Sequence, residues 1–279
     1  MPKRAAQPEK AYNNLEFLNS PEARIIRMMA EFLEPQRRFR RHGVRDTIVF
    51  FGSARMTPRK EALARLRRAE KEMAGVRRPA RRVLREAEAA AMQAEMSRYY
   101  EDTVELARLL TQWSMKLPRP NRFVVASGGG PGIMEAANRG ARLAGGKTIG
   151  LNISIPFEQA SNPFVSPGLG FEFHYFFLRK FWFVYLAKAL VIMPGGFGTM
   201  DELLEVLTLL QTGKIKKKMA VVVYGSEYWK SVLNLEELIR RGCVSRSDLA
   251  LFTFKDDPRS AFEYLRSSLV RNYPTGETG

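Results

Sequence analysis

The stretch ALVIMPGGFGTMDELLEVLTLLQ, residues 189–211, decides the fold. Ala189–Met193 is apolar at every position, as in a strand buried on both faces of a parallel sheet. Pro194 to Gly198 then form a turn, and a helix is predicted over Thr199–Thr212. Working outward, the same strand, turn and helix order recurs. Strands are predicted at Thr47–Gly52, Arg122–Ser127, Thr148–Ile153, Met219–Tyr224 and Leu251–Phe254, and helices at Gly132–Ala144, Tyr175–Ala187, Glu227–Arg241 and Arg259–Asn272. Repeated βα units with continuous apolar strands imply an α/β fold: a Rossmann-like, doubly wound parallel sheet with helices on both faces.

Two segments lie outside this alternation. Residues 1–19 read as loop, and Ser20-Pro21-Glu22 reads as the start of a helix running to Arg41. From Thr57 to Lys116 the chain is rich in helix formers, with a break expected at Pro79. The first half of this stretch reads as a basic, partly exposed arm. The second is amphipathic, with Met96, Tyr99, Tyr100, Val104, Leu106 and Leu109 available for packing. The predicted organisation is an N-terminal extension over 1–46 and a nucleotide-binding domain over 47–279, with a basic helical insertion at about 57–95.

The 279 residues carry a net charge of +16, and 11 basic against 3 acidic residues fall between Arg59 and Arg85. The block lacks interleaved aromatics and matches no DNA-reading motif, so non-specific polyanion affinity or plain solvation outweighs dedicated nucleic-acid recognition. No segment reaches the ~20 apolar residues of a membrane helix, and MPKRAAQPEKAYNN has no apolar core for a secretory leader. One cysteine, Cys243, and two histidines, His42 and His174, argue against a disulfide framework and a cysteine- or histidine-rich metal site. A cytoplasmic, metal-free protein is expected.

Ligands of open α/β sheets bind beyond the carboxyl ends of the strands. Three such ends run into small-residue turns: Gly52-Ser53-Ala54-Arg55, Gly128-Gly129-Gly130-Pro131-Gly132 and Gly195-Gly196-Phe197-Gly198-Thr199. Turns of this kind aim helix N–H groups at an anion, here a phosphate. Gly146-Lys147-Thr148 is no phosphate loop, because Ala141 replaces the first glycine and the segment enters a strand rather than a helix. The GSAR turn does not meet the dinucleotide fingerprint, so a mononucleotide fits better. Asp201 and Glu202 are placed in the first turn of the following helix, where the helix dipole caps or holds a carboxylate ionised. Arg179 and Lys180 sit in a strongly apolar helix and need a counterion or an exposed rim. Glu135 either touches a sugar hydroxyl or caps its own helix. The aromatics between Phe171 and Phe183 read as core or dimer interface, and His174 as a packing residue.

SGGGPGIMEAANRGA (127–141) and PGGFGTMDELLEVLTLLQTGKI (194–215), with LRK (178–180) between them, resemble the LONELY GUY (LOG) family. These are cytokinin riboside 5′-monophosphate phosphoribohydrolases, often filed as lysine decarboxylases. The resemblance implies hydrolysis of a nucleoside 5′-monophosphate to free base and ribose 5-phosphate, with no metal or organic cofactor. It places the catalytic pair on Arg179 and Glu202 and the phosphate site on Gly195, Gly196, Gly198 and Thr199. Gly52, Ser53, Gly129, Gly130, Met134 and Glu135 are the candidates for ribose and base contacts, and Lys180 and Asp201 flank the pair. A homodimer or higher homo-oligomer is implied. The extension 1–46 and the insertion 57–95 depart from short family members, whereas longer members resemble bacterial nucleotide 5′-monophosphate nucleosidases. A non-catalytic nucleotide-binding regulator or carrier of the same fold is the alternative.

Overall fold

The computed structural model describes residues 8–75, 80–156 and 161–276. Seven strands, β1 (Asp46–Phe51), β2 (Phe123–Ser127), β3 (Thr148–Ile153), β4 (Gly170–Phe173), β5 (Ala187–Ile192), β6 (Ala220–Tyr224) and β7 (Thr253–Lys255), form one sheet in the order β4-β3-β2-β1-β5-β6-β7. Every pairing is parallel. The helices are α1 (Leu15–Asn19), α2 (Arg24–His42), α3 (Arg59–Ala74), α4 (Arg81–Met96), α5 (Arg98–Lys116), α6 (Ile133–Leu143), α7 (Phe176–Leu186), α8 (Phe197–Gln211), α9 (Ser226–Val232), α10 (Leu235–Arg240) and α11 (Pro258–Asn272).

Side chains alternate across each strand, so a strand covered on both faces must be apolar throughout. Ile48, Phe50, Val191 and Val222 face one core with Leu106, Leu110, Ile133 and Leu265 of α5, α6 and α11. Their neighbours Val49, Phe51, Ile192 and Val223 face the other, with Trp182, Phe183, Leu203 and Trp229 of α7, α8 and α9. Full burial of one such side chain stabilises by about 1.5–3 kcal/mol, so the two layers together specify the sheet. From β1 the chain winds outward through β2, β3 and β4; β5 then returns to the other side of β1, pairing Phe51 with Ile192. That reversal opens a crevice beyond the ends of β1 and β5.

The N-terminal helix α2 belongs to the second core. Phe39 packs on Phe171 and Trp182 at ring-centroid distances of 4.8 and 5.4 Å. The Glu31 carboxylate accepts from the backbone N–H groups of His174 (2.8 Å) and Tyr175 (3.2 Å), just ahead of α7. At the other end of α7, Lys217 Nζ donates to the carbonyls of Val184 (2.6 Å) and Tyr185 (2.8 Å). The helix carrying Arg179 is therefore tied down at both ends.

Several expectations are corrected. Part of the predicted N-terminal loop is α1, capped by the Asn14 side chain accepting from Phe17 N–H. The next helix begins at Arg24 rather than Pro21, since residues 20–23 form a turn. The 57–116 stretch contains α3, α4 and α5, with a further break at Ser97, whose hydroxyl donates to Ala94 O. Pro79, the expected break, lies outside the described residues. The predicted helix 227–241 is split into α9 and α10 where Asn234 caps the second. Strand β4 was not predicted: it has four residues and lies at the sheet edge.

Candidate active site

The crevice between β1 and β5 holds a cavity of about 730 Å³. Its floor is set by backbone bonds that join the three turns. Met193 N–H donates to Phe51 O (2.8 Å), Ser53 N–H to Pro194 O (3.0 Å), and Ile133 N–H to Ser53 O (3.0 Å). Gly195 is required by this closeness, because a Cβ there would run into the Thr199 hydroxyl and Ser53 N. Cβ positions at Gly196 and Gly198 would instead meet open space. Gly196 is the N-cap of α8 and supplies no side-chain cap, so the first N–H groups of the helix are available to an anion. The Tyr228 hydroxyl donates to Gly195 O at 2.8 Å and steadies the turn from α9.

Beside this turn lie Arg179 and Glu202, both lining the cavity. Arg179 Nη2 is 3.8 Å from Glu202 Oε1, with 15% and 6% of the two side chains exposed. The contact is an ion pair too long for a hydrogen bond. Among the described residues, Arg179 Nε and Glu202 Oε2 are both buried without a hydrogen-bond partner. Buried polar groups are normally satisfied, so a pair left this way on a cavity wall is a candidate docking point for a polar ligand. The Arg179 guanidinium lies over the rings of Phe176 (4.9 Å) and Phe183 (5.6 Å), which restrict its orientation.

The electrostatics correct one expectation. Helix α8 starts at Phe197, so Asp201 and Glu202 fall in its second turn, beyond the strongest reach of the helix dipole. Burial dominates instead and pushes the Glu202 carboxyl up to about 7, against the opposing pull of Lys180 and Arg179. Burial likewise lowers the Arg179 pKa, with Glu202 and Asp201 opposing it.

Of the other predicted residues, Gly52, Ser53, Met134, Gly195, Gly196, Gly198 and Thr199 line the cavity. Gly129, Gly130, Glu135, Lys180 and Asp201 do not. The Gly129 and Gly130 carbonyls accept from Asn162 Nδ2 at 2.9 and 3.0 Å, in a buried network with Asn138 and Ser127. Glu135 accepts from the Tyr100 hydroxyl at 2.7 Å. Lys180 finds its counterions in Asp201 and Glu205, both at 2.7 Å, and so clamps α7 to α8. Burial opposes the Lys180 charge, but these hydrogen bonds outweigh it and its pKa moves up.

Sequence reasoning missed Tyr228 and the contribution of the basic insertion. Helices α3 and α4 pack together around Ala62, Ala87 and Ala90, and Met92, Gln93 and Met96 of α4 line the cavity. Met96, on the amphipathic half of the 57–116 stretch, was the available signal for the second; nothing in sequence spacing pointed to Tyr228.

The family described as "Possible lysine decarboxylase" matches residues 134–265. The chain is 29% identical over 126 residues to the cytokinin riboside 5′-monophosphate phosphoribohydrolase LOG of Oryza sativa subsp. japonica, covering 44% of this chain and 48% of that protein. It is 26% identical over 149 residues to the cytokinin riboside 5′-monophosphate phosphoribohydrolase LOG2 of Arabidopsis thaliana, covering 53% and 65%. The chain thus spans about half to two thirds of the length of these relatives. Among solved structures, the molybdenum cofactor binding protein of Rippkaea orientalis superposes with a TM-score of 0.46 at 16% identity, covering 80% of this chain and 97% of that one.

Proposed function

We propose that the chain acts as a member of the LOG family, a reading supported by its similarity to the two phosphoribohydrolases above, and that it hydrolyses the N-glycosidic bond of a nucleoside 5′-monophosphate, giving free base and ribose 5-phosphate. The observation that carries this reading is the buried, unpartnered Arg179–Glu202 pair beside the open N-terminus of α8. A 5′-phosphate suits the N–H groups of residues 196–199 and the free edge of Arg179. Held there, the phosphate positions the sugar for reaction. Cleavage of the C1′–N bond leaves its electron pair on the base and builds oxocarbenium character on the ribose. An ionised Glu202 stabilises that charge and takes a proton from the water that forms the new C1′–O bond. The departing base takes up a proton as it leaves, so proton and charge balance.

Phosphate dependence is the first test. AMP, GMP, CMP and isopentenyladenosine monophosphate are offered beside their unphosphorylated nucleosides, and base release is followed by chromatography. The monophosphates are expected to exceed the nucleosides by 10² or more in kcat/KM, since the nucleosides lose the phosphate contacts. Equal rates would remove the phosphate from the reading. Tight AMP binding with no base release would leave a nucleotide-binding carrier.

We also propose self-association through α7. Phe177, Phe181 and Tyr185 form an i, i+4, i+8 stripe; Phe177 and Tyr185 are each 52% exposed, and Leu204 of α8 is also exposed. Light scattering should give at least twice the 31.8 kDa chain mass, and Phe177→Glu with Tyr185→Glu should give the monomer. A monomeric wild type at micromolar concentration would reject this. No described helix is long and apolar enough to cross a membrane. The cytoplasm is the proposed compartment, where the exposed Cys243 thiol stays reduced; secretion of the full-length chain in a cell fractionation would contradict it.

A further inference from the structure

We propose that the α3–α4 hairpin supplies the base-recognition wall of the cavity, with Met92 and Met96 packing on the flat aromatic base and Gln93 donating to it. The inference rests on the nucleotide reading above and deepens it.

The cavity wall has three chemically distinct regions. One is the open N-terminus of α8, suited to an anion. The second is the Arg179–Glu202 pair, with Arg179 on the side of the anion and Glu202 suited to the ribose and its scissile bond. The third is thioether: Met92 and Met96 from α4, Met56 from the segment entering the hairpin, and Met134 from α6. A nucleoside monophosphate also has three parts, and once the phosphate and sugar are placed, the base is left for the methionines. Thioether sulfurs pack favourably against aromatic rings and adapt to rings of different outline. Met92 is 57% exposed in the free protein, an apolar side chain on the cavity wall rather than in a core.

Gln93 adds direction to this wall. Its Oε1 accepts from Arg65 Nη1 at 2.6 Å, so α3 fixes the orientation of an amide carried by α4. The carbonyl end is occupied and the NH₂ end remains to donate. Ring nitrogens and carbonyl oxygens of nucleobases are acceptors of the required kind. The basic charge of the hairpin is carried on exposed arginines and lysines, while its inner face shapes the cavity.

The test separates base from sugar phosphate by calorimetry on the full chain, with AMP and ribose 5-phosphate as probes. Wild type should bind AMP more tightly than ribose 5-phosphate. Met92→Ala with Met96→Ala should weaken AMP roughly tenfold, from sulfur–aromatic contacts of ordinary strength, and leave ribose 5-phosphate unchanged. Arg65→Ala, which frees the Gln93 amide without touching the cavity, should give a smaller loss in the same ligand only. Parallel weakening of both ligands would mean that the hairpin acts through the fold, and would overturn the proposal. So would unchanged AMP binding in the methionine variant, or a wild type that binds the two ligands equally. Selective loss of AMP binding by a chain that releases no base would support the wall and overturn the hydrolase reading instead.

Discussion

Glu202→Gln is expected to lower base release from AMP by about 10³-fold or more, with AMP affinity kept within a few-fold of wild type. The reason for so unequal an effect is where the charge is needed. Bound AMP carries no positive charge on its ribose, so an ionised carboxylate beside it contributes little to ground-state binding. The oxocarbenium-like transition state does carry that charge, and the carboxylate meets it inside a site where 6% of its side chain is exposed. Loss of a group that acts only in the transition state lowers kcat and kcat/KM together, leaving KM unchanged when binding equilibrates. Glutamine keeps the shape of the side chain and removes both the charge and the proton acceptor. Single-turnover base release and AMP calorimetry on the same preparation check the two halves. Retained turnover would remove Glu202 from the chemistry, whereas lost binding would make it a structural partner of Arg179. Arg179→Met is expected to differ, weakening AMP and ribose 5-phosphate alike because it removes a cation from the anion's side of the site.

What could be read from sequence follows from how locally each feature is determined. The inner strands were legible because a strand covered on both faces must be apolar at consecutive positions, as Val221, Val222 and Val223 are. The crevice was legible because three small-residue turns, after β1, β2 and β5, fall on one edge of the sheet. The edge strand β4 was hidden: its Phe171 and Phe173 point inward while Glu172 is exposed, and four residues make too short a pattern. The environment of Glu202 was also hidden. A two-residue difference in the start of α8 decides between a carboxylate held by the helix dipole and one governed by burial, and that boundary depends on how Gly195 packs against Thr199 and Ser53. Lys180 illustrates the same limit. Its adjacency to Arg179 suggested a shared role, yet the turn of α7 sends one cation to Glu202 and the other to Asp201 and Glu205. The α4 side chains reached the cavity through tertiary packing of an insertion whose charge drew attention to its outer face.

The raised Glu202 pKa has consequences of opposite sign for activity and stability. Activity requires the ionised form, so kcat/KM should rise with pH through a midpoint of about 7 and level off above it. Burial is the main cause of the shift, with Lys180 and Arg179 opposing it. Bound phosphate adds negative charge nearby and draws on Arg179, so the midpoint in kcat should lie higher still. The substrate phosphate itself ionises near pH 6. Ribose 5-phosphate binding to Glu202→Gln followed across the same range reports that step alone, and the limb belonging to Glu202 is the one absent from it. Stability runs the other way. In the unfolded chain Glu202 ionises at its ordinary value of 4.5, and in the folded chain at about 7, so between these values the native state holds more protons. The folded state is therefore favoured most below pH 4.5 and loses that contribution as pH rises through 7, by about 3 kcal/mol in all. Glu202→Gln has no such proton to lose. It should match wild type in denaturant unfolding at pH 4.5 and exceed it at pH 8, where its catalytic loss is greatest. A variant no more stable than wild type at pH 8 would show that Arg179 fully compensates the buried carboxylate. The kcat/KM midpoint would then fall toward the ordinary carboxylate range, and both curves would shift together because one proton governs them.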